Sequence, residues 1–280
     1  MPPSMLAVPL SLSAALLVGA MLLLWTLSLR LRNASIVDVF WGSAFVLAGW
    51  TAALSGGGAG PRRALALALV TLWGTRLTLH LGRRNLGHGE DPRYVAMRAA
   101  HGARFWWVSL FTVFLFQAGL AWVVSLPIQL AAVSTSAGLG VLDLAGLALW
   151  LVGFAFEAVG DAQLARFRRD PASRGRALDT GLWRYTRHPN YFGDACAWWG
   201  LGLLGAAAGA PWTLVAPVLM TFFLLRVSGV ALLERDIVER RPAYRDYVAR
   251  TSAFLPWFPR RPEAGPPAGP GQVPGRRGAP

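Results

Sequence analysis

The segment Gly181-Leu-Trp-Arg-Tyr-Thr-Arg-His-Pro-Asn-Tyr-Phe-Gly-Asp194 runs charged and aromatic residues straight into an apolar stretch. Pro189 disfavours helical geometry at the residue before it, so His188 marks a fixed turn and a helix starts after it. The turn gathers Arg184, Tyr185, Arg187, His188, Asn190, Tyr191 and Asp194 at the mouth of an apolar helix. That placement suggests polar chemistry at a membrane surface.

The rest of the chain supplies the membrane. Of 280 residues, 54% are hydrophobic and 15% charged, and the mean hydropathy is +0.42. These values exclude an ordinary soluble domain. Apolar length and flanking charge predict an all-α polytopic membrane protein of about seven spans, at 5–29, 36–54, 64–82, 105–126, 139–165, 193–210 and 212–233. The last two are short and flank Ala210-Pro211, so a tight helical hairpin is the alternative to two full crossings. Several of the 13 tryptophans lie near the ends of these runs, where indole prefers the interface. The single Cys196 sits in an apolar stretch and reads as helix packing.

All 27 basic residues are arginine. Arginine-rich connections at 83–104 and 166–188 and after Glu234 contrast with uncharged ones near 134–138 and 210–211. The positive-inside rule then places the N-terminus outside and the C-terminus in the cytoplasm, as for a bacterial inner-membrane protein, with Arg62 and Arg63 as the one mild violation. Residues 1–258 form one membrane domain, and the Pro/Gly/Arg-rich tail from 259 to 280 has little to bury and is expected to be disordered. The formal charge of +13 is assigned to anionic headgroups and an anionic cofactor, not to nucleic acid. No obligate protein partner is evident.

Polar residues inside apolar runs mark the candidate site. Glu157, Asp161 and Arg168 follow at i, i+4 and i+11, which puts them within about 40° of one another on a helix. They form a polar stripe leading towards the 184–194 turn. A helix-stabilising ion pair at the membrane surface is the plainer reading. Asp38 is either a helix N-terminal residue favoured by the dipole or a protonated acid in an apolar pocket that donates a hydrogen bond to a substrate oxygen. Arg76 needs an anion or carbonyl partner, or it snorkels. Glu90, Asp91, Arg93 and Tyr94 form a structured loop, and His88 beside them matches no strong metal-ligand spacing. Arg226 lies deeper in its span than the mixed charges that follow it. Gly200-Leu-Gly-Leu-Leu-Gly205 has the spacing of a dinucleotide fingerprint but no strand or βαβ context, so close helix packing explains it better.

Read together, the 181–194 turn, the Asp161–Arg168 stripe, Val37-Asp-Val-Phe-Trp-Gly42, Arg76, Gly89-Glu-Asp-Pro-Arg-Tyr94 and the Leu233-Glu-Arg to Tyr-Val248 segment resemble the steroid 5-alpha-reductase family, in its bacterial branch. The likeness spans about residues 30–260. It implies a seven-helix membrane reductase that uses NADPH to saturate a carbon–carbon double bond conjugated to a ketone in a lipophilic substrate drawn from the bilayer. It further implies that Asp161 and Arg168 hold the adenosine half of NADPH, with Glu157 where the eukaryotic reductases have asparagine. Asn190 would face the nicotinamide end, Arg226 and Arg245 would bind cofactor, and Asp38 would replace a glutamate that bonds the substrate ketone. Asp38, Arg76 and Tyr94 are thus the candidate catalytic residues. Trp73 stands where those enzymes use a tyrosine, which puts a steroid substrate in doubt. An Arg-His-Pro-x-Tyr turn before a helical hairpin also resembles integral-membrane isoprenylcysteine and phospholipid methyltransferases, which bind S-adenosylmethionine. A non-catalytic membrane scaffold is a third reading.

Overall fold

The computed structural model describes residues 3–85, 87–227, 229–234 and 244–260. The expected disordered tail lies outside the described residues from position 261, and so do residues 235–243 of the expected surface segment. The described chain is helical: α1 (Pro3–Leu31), α2 (Ile36–Ser55), α3 (Pro61–Asn85), α4 (Pro92–His101), α5 (Phe105–Ser109), α6 (Phe116–Val124), α7 (Leu126–Ala132), α8 (Val141–Arg169), α9 (Pro189–Ala207), α10 (Val215–Phe222), α11 (Val230–Glu234) and a last helix, Tyr244–Arg250. Five stretches are long and apolar enough to cross a bilayer: Leu6–Leu31, Ile36–Ser55, Pro61–Asn85, Pro92–Val124 and Val141–Arg169. This is an all-α polytopic membrane protein.

The count differs from seven at the C-terminal end. The sixth segment is α9, 19 residues long with a polar first turn. The seventh is the shorter apolar helix Pro211–Val227. At 1.5 Å per residue such a helix falls short of a hydrocarbon core of about 30 Å. The tight turn at Ala210-Pro211, where Thr213 caps back onto the Ala210 carbonyl at 2.7 Å, makes the two a hairpin.

Packing follows small residues. α8 and α9 approach until glycines touch backbone: a Cβ on Gly153 would fall 2.5 Å from the Gly193 carbonyl oxygen, and one on Gly200 would fall 2.5 Å from that of Gly146. Gly200 of the rejected fingerprint is therefore a packing glycine, as its apolar context implied. α7 is buried along its whole length and packs against α2, α3 and α9. Its one polar side chain, Gln129, is satisfied by Ser13 (2.6 Å) and Ser125 (2.8 Å). Phe45, Trp73 and Trp198 meet edge to face, with centroids 4.5–5.6 Å apart, and join α2, α3 and α9. At the end of the bundle near the α2–α3 loop, Arg62 forks onto both oxygens of Asp143 at 2.7 and 2.8 Å and ties α3 to α8.

Two glycines separate packing from propensity. Gly119 in α6 has nothing within 4 Å of a would-be Cβ, so Gly119→Ala should stabilise by about 0.5–1 kcal/mol through lost unfolded-state freedom. Gly153→Ala should instead destabilise by about 1–3 kcal/mol, because the methyl must push α9 away. Thermal unfolding of the two variants in detergent reads both signs. Shifts in the same direction would show that α8 and α9 are not in backbone contact.

Candidate functional site

Three helices each present a stripe of polar residues to the same place. On α3 the residues are Trp73, Arg76 and His80, on α8 Glu157 and Asp161, and on α9 Asn190, Asp194 and Trp198. Spacings of three and four keep each set on one helix face. Glycine contact between α8 and α9 brings the last two stripes together: Gly193 lies against the Glu157 backbone.

Arg76 joins them. Its guanidinium donates to Glu157 Oε1 (2.6 Å), to the Glu157 carbonyl (3.2 Å) and to Asp161 Oδ2 (2.5 Å). Trp73 Nε1 donates to the other Glu157 oxygen at 2.8 Å, and Asn190 Nδ2 donates to Asp161 Oδ1 at 3.1 Å. His80 Nε2 lies 3.6 Å from Asp161. The side chains of Glu157 and Asp161 are 5% and 9% exposed, so neither is a surface acid. The plainer reading of the stripe, an ion pair at the membrane surface, gives way to a buried cluster.

Two carboxylates, Glu157 and Asp161, thus share a single guanidinium, with Asp194 within its electrostatic reach. The acceptors Asn190 Oδ1 and Asp194 Oδ1 are buried with no hydrogen-bond partner among the described residues. Trp198 Nε1, one turn beyond Asp194 on α9, is a buried donor within reach of the Asp194 carboxyl, so the acceptor that suits a ligand N–H is Asn190 Oδ1. Tyr191 stacks on His188 with rings 5.5 Å apart and 6° from parallel, and its phenol lies within electrostatic reach of Arg84, Arg93, Asp161 and Asp194.

Arg93 belongs to a neighbouring cluster. The 89–94 loop docks on the α1–α2 turn: Glu90 accepts from the Ala34 amide (2.7 Å) and from Arg98 (2.8 Å), and the Asp91 amide donates to Ser35 Oγ (2.6 Å). Burial would push both acids up. The guanidinium of Arg98 with the Ala34 amide for Glu90, and that of Arg93 with its own amide for Asp91, hold both carboxyls below their ordinary values. Asp91 caps α4 through the Arg93 amide, and Pro92 takes the first helical position. The Arg93 guanidinium and the Tyr94 hydroxyl then both donate to Asp38, each at 2.7 Å. Asp38 was expected as a neutral acid aimed at substrate. In the structure both its oxygens accept, one from Arg93 and one from Tyr94, so Asp38 also holds Tyr94 in place. Gln117, which the sequence did not single out, reaches the Tyr94 oxygen at 3.4 Å.

The Arg-His-Pro turn holds a third cluster. Arg187 forks onto both oxygens of Glu234 at 2.7 Å and donates to the Val248 carbonyl at 2.9 Å and the Thr251 carbonyl, while His188 Nε2 lies 2.9 Å from Glu234. Thr186 donates to the Phe254 carbonyl (2.8 Å), Tyr247 to the Trp183 carbonyl (2.6 Å), and the Trp257 amide to the Tyr185 carbonyl (2.9 Å). The Arg187 guanidinium and His188 Nε2 thus fasten the C-terminal segment to the turn. Arg168, Arg184, Arg226 and Arg245 are exposed, with Arg168 within electrostatic reach of His80. Among the described residues no ion pair joins Arg184, Arg226 or Arg245 to the acid cluster. His80 and Glu234 were missed as site residues. The i+4 spacing from Arg76 would have found His80, whereas nothing local marks Glu234 as the partner of a residue 47 positions away.

Residues 24–251 match the model of a family described as a protein of unknown function, DUF1295, and the chain belongs to that family. The match takes in all three clusters. A relative in the fission yeast Schizosaccharomyces pombe, itself an uncharacterised protein, is 29% identical over 269 residues, which cover 83% of this chain and 75% of the yeast protein. No solved structure matches the chain.

Glu234 gives a pH signature. Burial would raise its carboxyl, but the hydrogen bonds and charges of Arg187 and His188 outweigh burial and hold it at about 2, below its ordinary 4.5. A carboxyl depressed on folding contributes stability that is full above the unfolded value and lost as pH falls towards the folded one. The wild-type protein should therefore be more stable than Glu234→Gln at neutral pH, with the gap closing between about pH 4.5 and about pH 2. Unfolding followed against pH in detergent measures the gap, and a gap independent of pH would mean that Glu234 carries no such charge pairing.

Proposed function

We propose that the protein is an NADPH-dependent reductase of a carbon–carbon double bond conjugated to a ketone in a lipophilic substrate, working at the cytoplasmic end of its helices. The observation that carries this reading is the buried, unpartnered acceptor at Asn190, set in an acid cluster beside the exposed arginines Arg84, Arg93 and Arg168. Membership of a family related to steroid 5-alpha-reductase-like proteins supports it. The residues fit the cofactor at both ends. A carboxamide N–H satisfies the orphan acceptor, and guanidinium groups suit phosphates.

When bound, NADPH supplies a hydride and is left with a cationic nicotinamide ring. Glu157 and Asp161, gathered on Arg76, place carboxyl oxygens where positive charge grows, a form of preorganised stabilisation. Asn190, held by Asp161, orients the ring. At the neighbouring cluster the Tyr94 phenol gives its one proton to Asp38, and it would meet a substrate carbonyl oxygen by turning that proton from Asp38 to the substrate. The apolar helices deliver the substrate from the bilayer.

The same carboxyl oxygens would suit the sulfonium of S-adenosylmethionine, which keeps a membrane methyltransferase as the second reading. Binding of NADPH, NADH and S-adenosylmethionine to the detergent-purified protein decides between them. NADPH should bind most tightly, and binding of S-adenosylmethionine alone would end the reductase reading. Arg168→Ala should weaken NADPH by about 1.5–3 kcal/mol, the range for a hydrogen bond to a charged group. Asn190→Ala should lower turnover by up to about 10²-fold with a smaller loss of affinity, because ring orientation sets reacting geometry. Tyr94→Phe should abolish most enone reduction yet leave NADPH binding intact; wild-type turnover in Tyr94→Phe would remove Tyr94 from the chemistry.

A further inference from the structure

The arginine pair Arg62-Arg63 sits at the end of the bundle away from the acid cluster, where the positive-inside rule leaves it unexplained. Its members have different fates. Arg62 is buried and neutralised by Asp143, with its third nitrogen on Ser134 at 3.1 Å. Arg63 donates only to the Gly58 carbonyl, so its charge is not cancelled by any carboxylate among the described residues.

That charge opens onto a groove of about 820 Å³ between the ends of α2 and α3. Trp50 forms one wall, fixed by its Nε1 bond to Thr71 at 3.0 Å. Ala64 and Ala68, one turn apart on α3, make a low floor that leads to Leu72, and Arg63 is the only charged residue among those that line the groove. From Ala64 to Leu72 the floor runs about 12 Å along the helix. The head of the groove is rigid. A Cβ on Gly60 would meet the Ser136 carbonyl at 2.5 Å and one on Gly58 would meet the Val133 backbone at 2.6 Å, so the 58–60 loop is pinned against the turn after α7. The Arg62 and Arg63 amides, in the first turn of α3, have no acceptor within the helix and add to the positive potential there.

We infer that this groove binds a phospholipid with a net-anionic headgroup. The headgroup phosphate pairs with Arg63 against the 58–60 loop, and one acyl chain lies along Ala64, Ala68 and Leu72 beside Trp50. Charge complementarity selects the occupant: an open apolar trough serves any lipid, but a lone, uncancelled guanidinium at its head favours a lipid that keeps its negative charge over a zwitterion. The bound lipid would hold the α2–α3 loop at the end of the molecule opposite the acid cluster.

Native mass spectrometry of the full-length protein in detergent, titrated with phosphatidylglycerol and phosphatidylcholine, tests the inference. The first phosphatidylglycerol should bind at least fivefold more tightly than the first phosphatidylcholine. Arg63→Gln should erase that preference, and Arg104→Gln, at the other end of the molecule, should preserve it. Ala68→Trp, which fills the floor without changing charge, should weaken both lipids at least fivefold. Equal affinities for the two lipids in the wild-type protein, a preference that survives Arg63→Gln, or wild-type binding by Ala68→Trp would each overturn the site. So would displacement of the lipid by millimolar inorganic phosphate, which would show that the anion alone is recognised.

Discussion

The polar interior of this molecule depends on one guanidinium. A carboxylate inside membrane-spanning helices is costly unless a partner of opposite charge and enough hydrogen bonds surround it. Arg76 supplies both, from α3, to two acids one turn apart on α8. Without it Glu157 and Asp161 would have only Trp73, Asn190 and the more distant His80 against them. The arrangement also fixes geometry, since a planar fork that reaches two carboxylates and a backbone carbonyl sets the rotation of α3 against α8. The glycine seam between α8 and α9 then decides what faces the fork from the third side, and it places Asn190 and Asp194 there.

Much of this was legible in the sequence, and the rest failed for identifiable reasons. Apolar length found the helices, and periodicity found the Glu157–Asp161 stripe, because both are properties of neighbouring residues. Periodicity names a face and not what lies across it. The partners of Glu157 and Asp161 on α3 are 81 and 85 residues away. Asp38 shows the same limit: the sequence places an acid in an apolar run, but the two donors that occupy it come from a loop 55 and 56 residues further on. The count of about seven turned on whether the last two short segments cross or form a hairpin, and length and composition support five helices of crossing length among the described residues.

Charge is organised differently at the two ends of the bundle. At one end the arginines are numerous, and several, such as Arg84 and Arg93, stay exposed around a buried acid cluster. At the other a single pair has been divided, with Arg62 consumed by a structural bridge to Asp143 and Arg63 left at the head of an apolar groove. A rule that counts arginines treats both pairs alike. The structure separates a cation that holds helices together from one that keeps its field.

The Arg-His-Pro turn carries the likeness both to reductases and to methyltransferases, yet its arginine and histidine face away from the cofactor question. Arg187 and His188 converge on Glu234, and the surrounding backbone pairs with residues 252–257, so these side chains serve to fasten the C-terminal segment whatever ligand is bound. Pro189 then starts α9 at a fixed angle, and the polar stripe of α9 begins one residue later, at Asn190, and continues at Asp194. The turn is thus a mount for a short polar stripe.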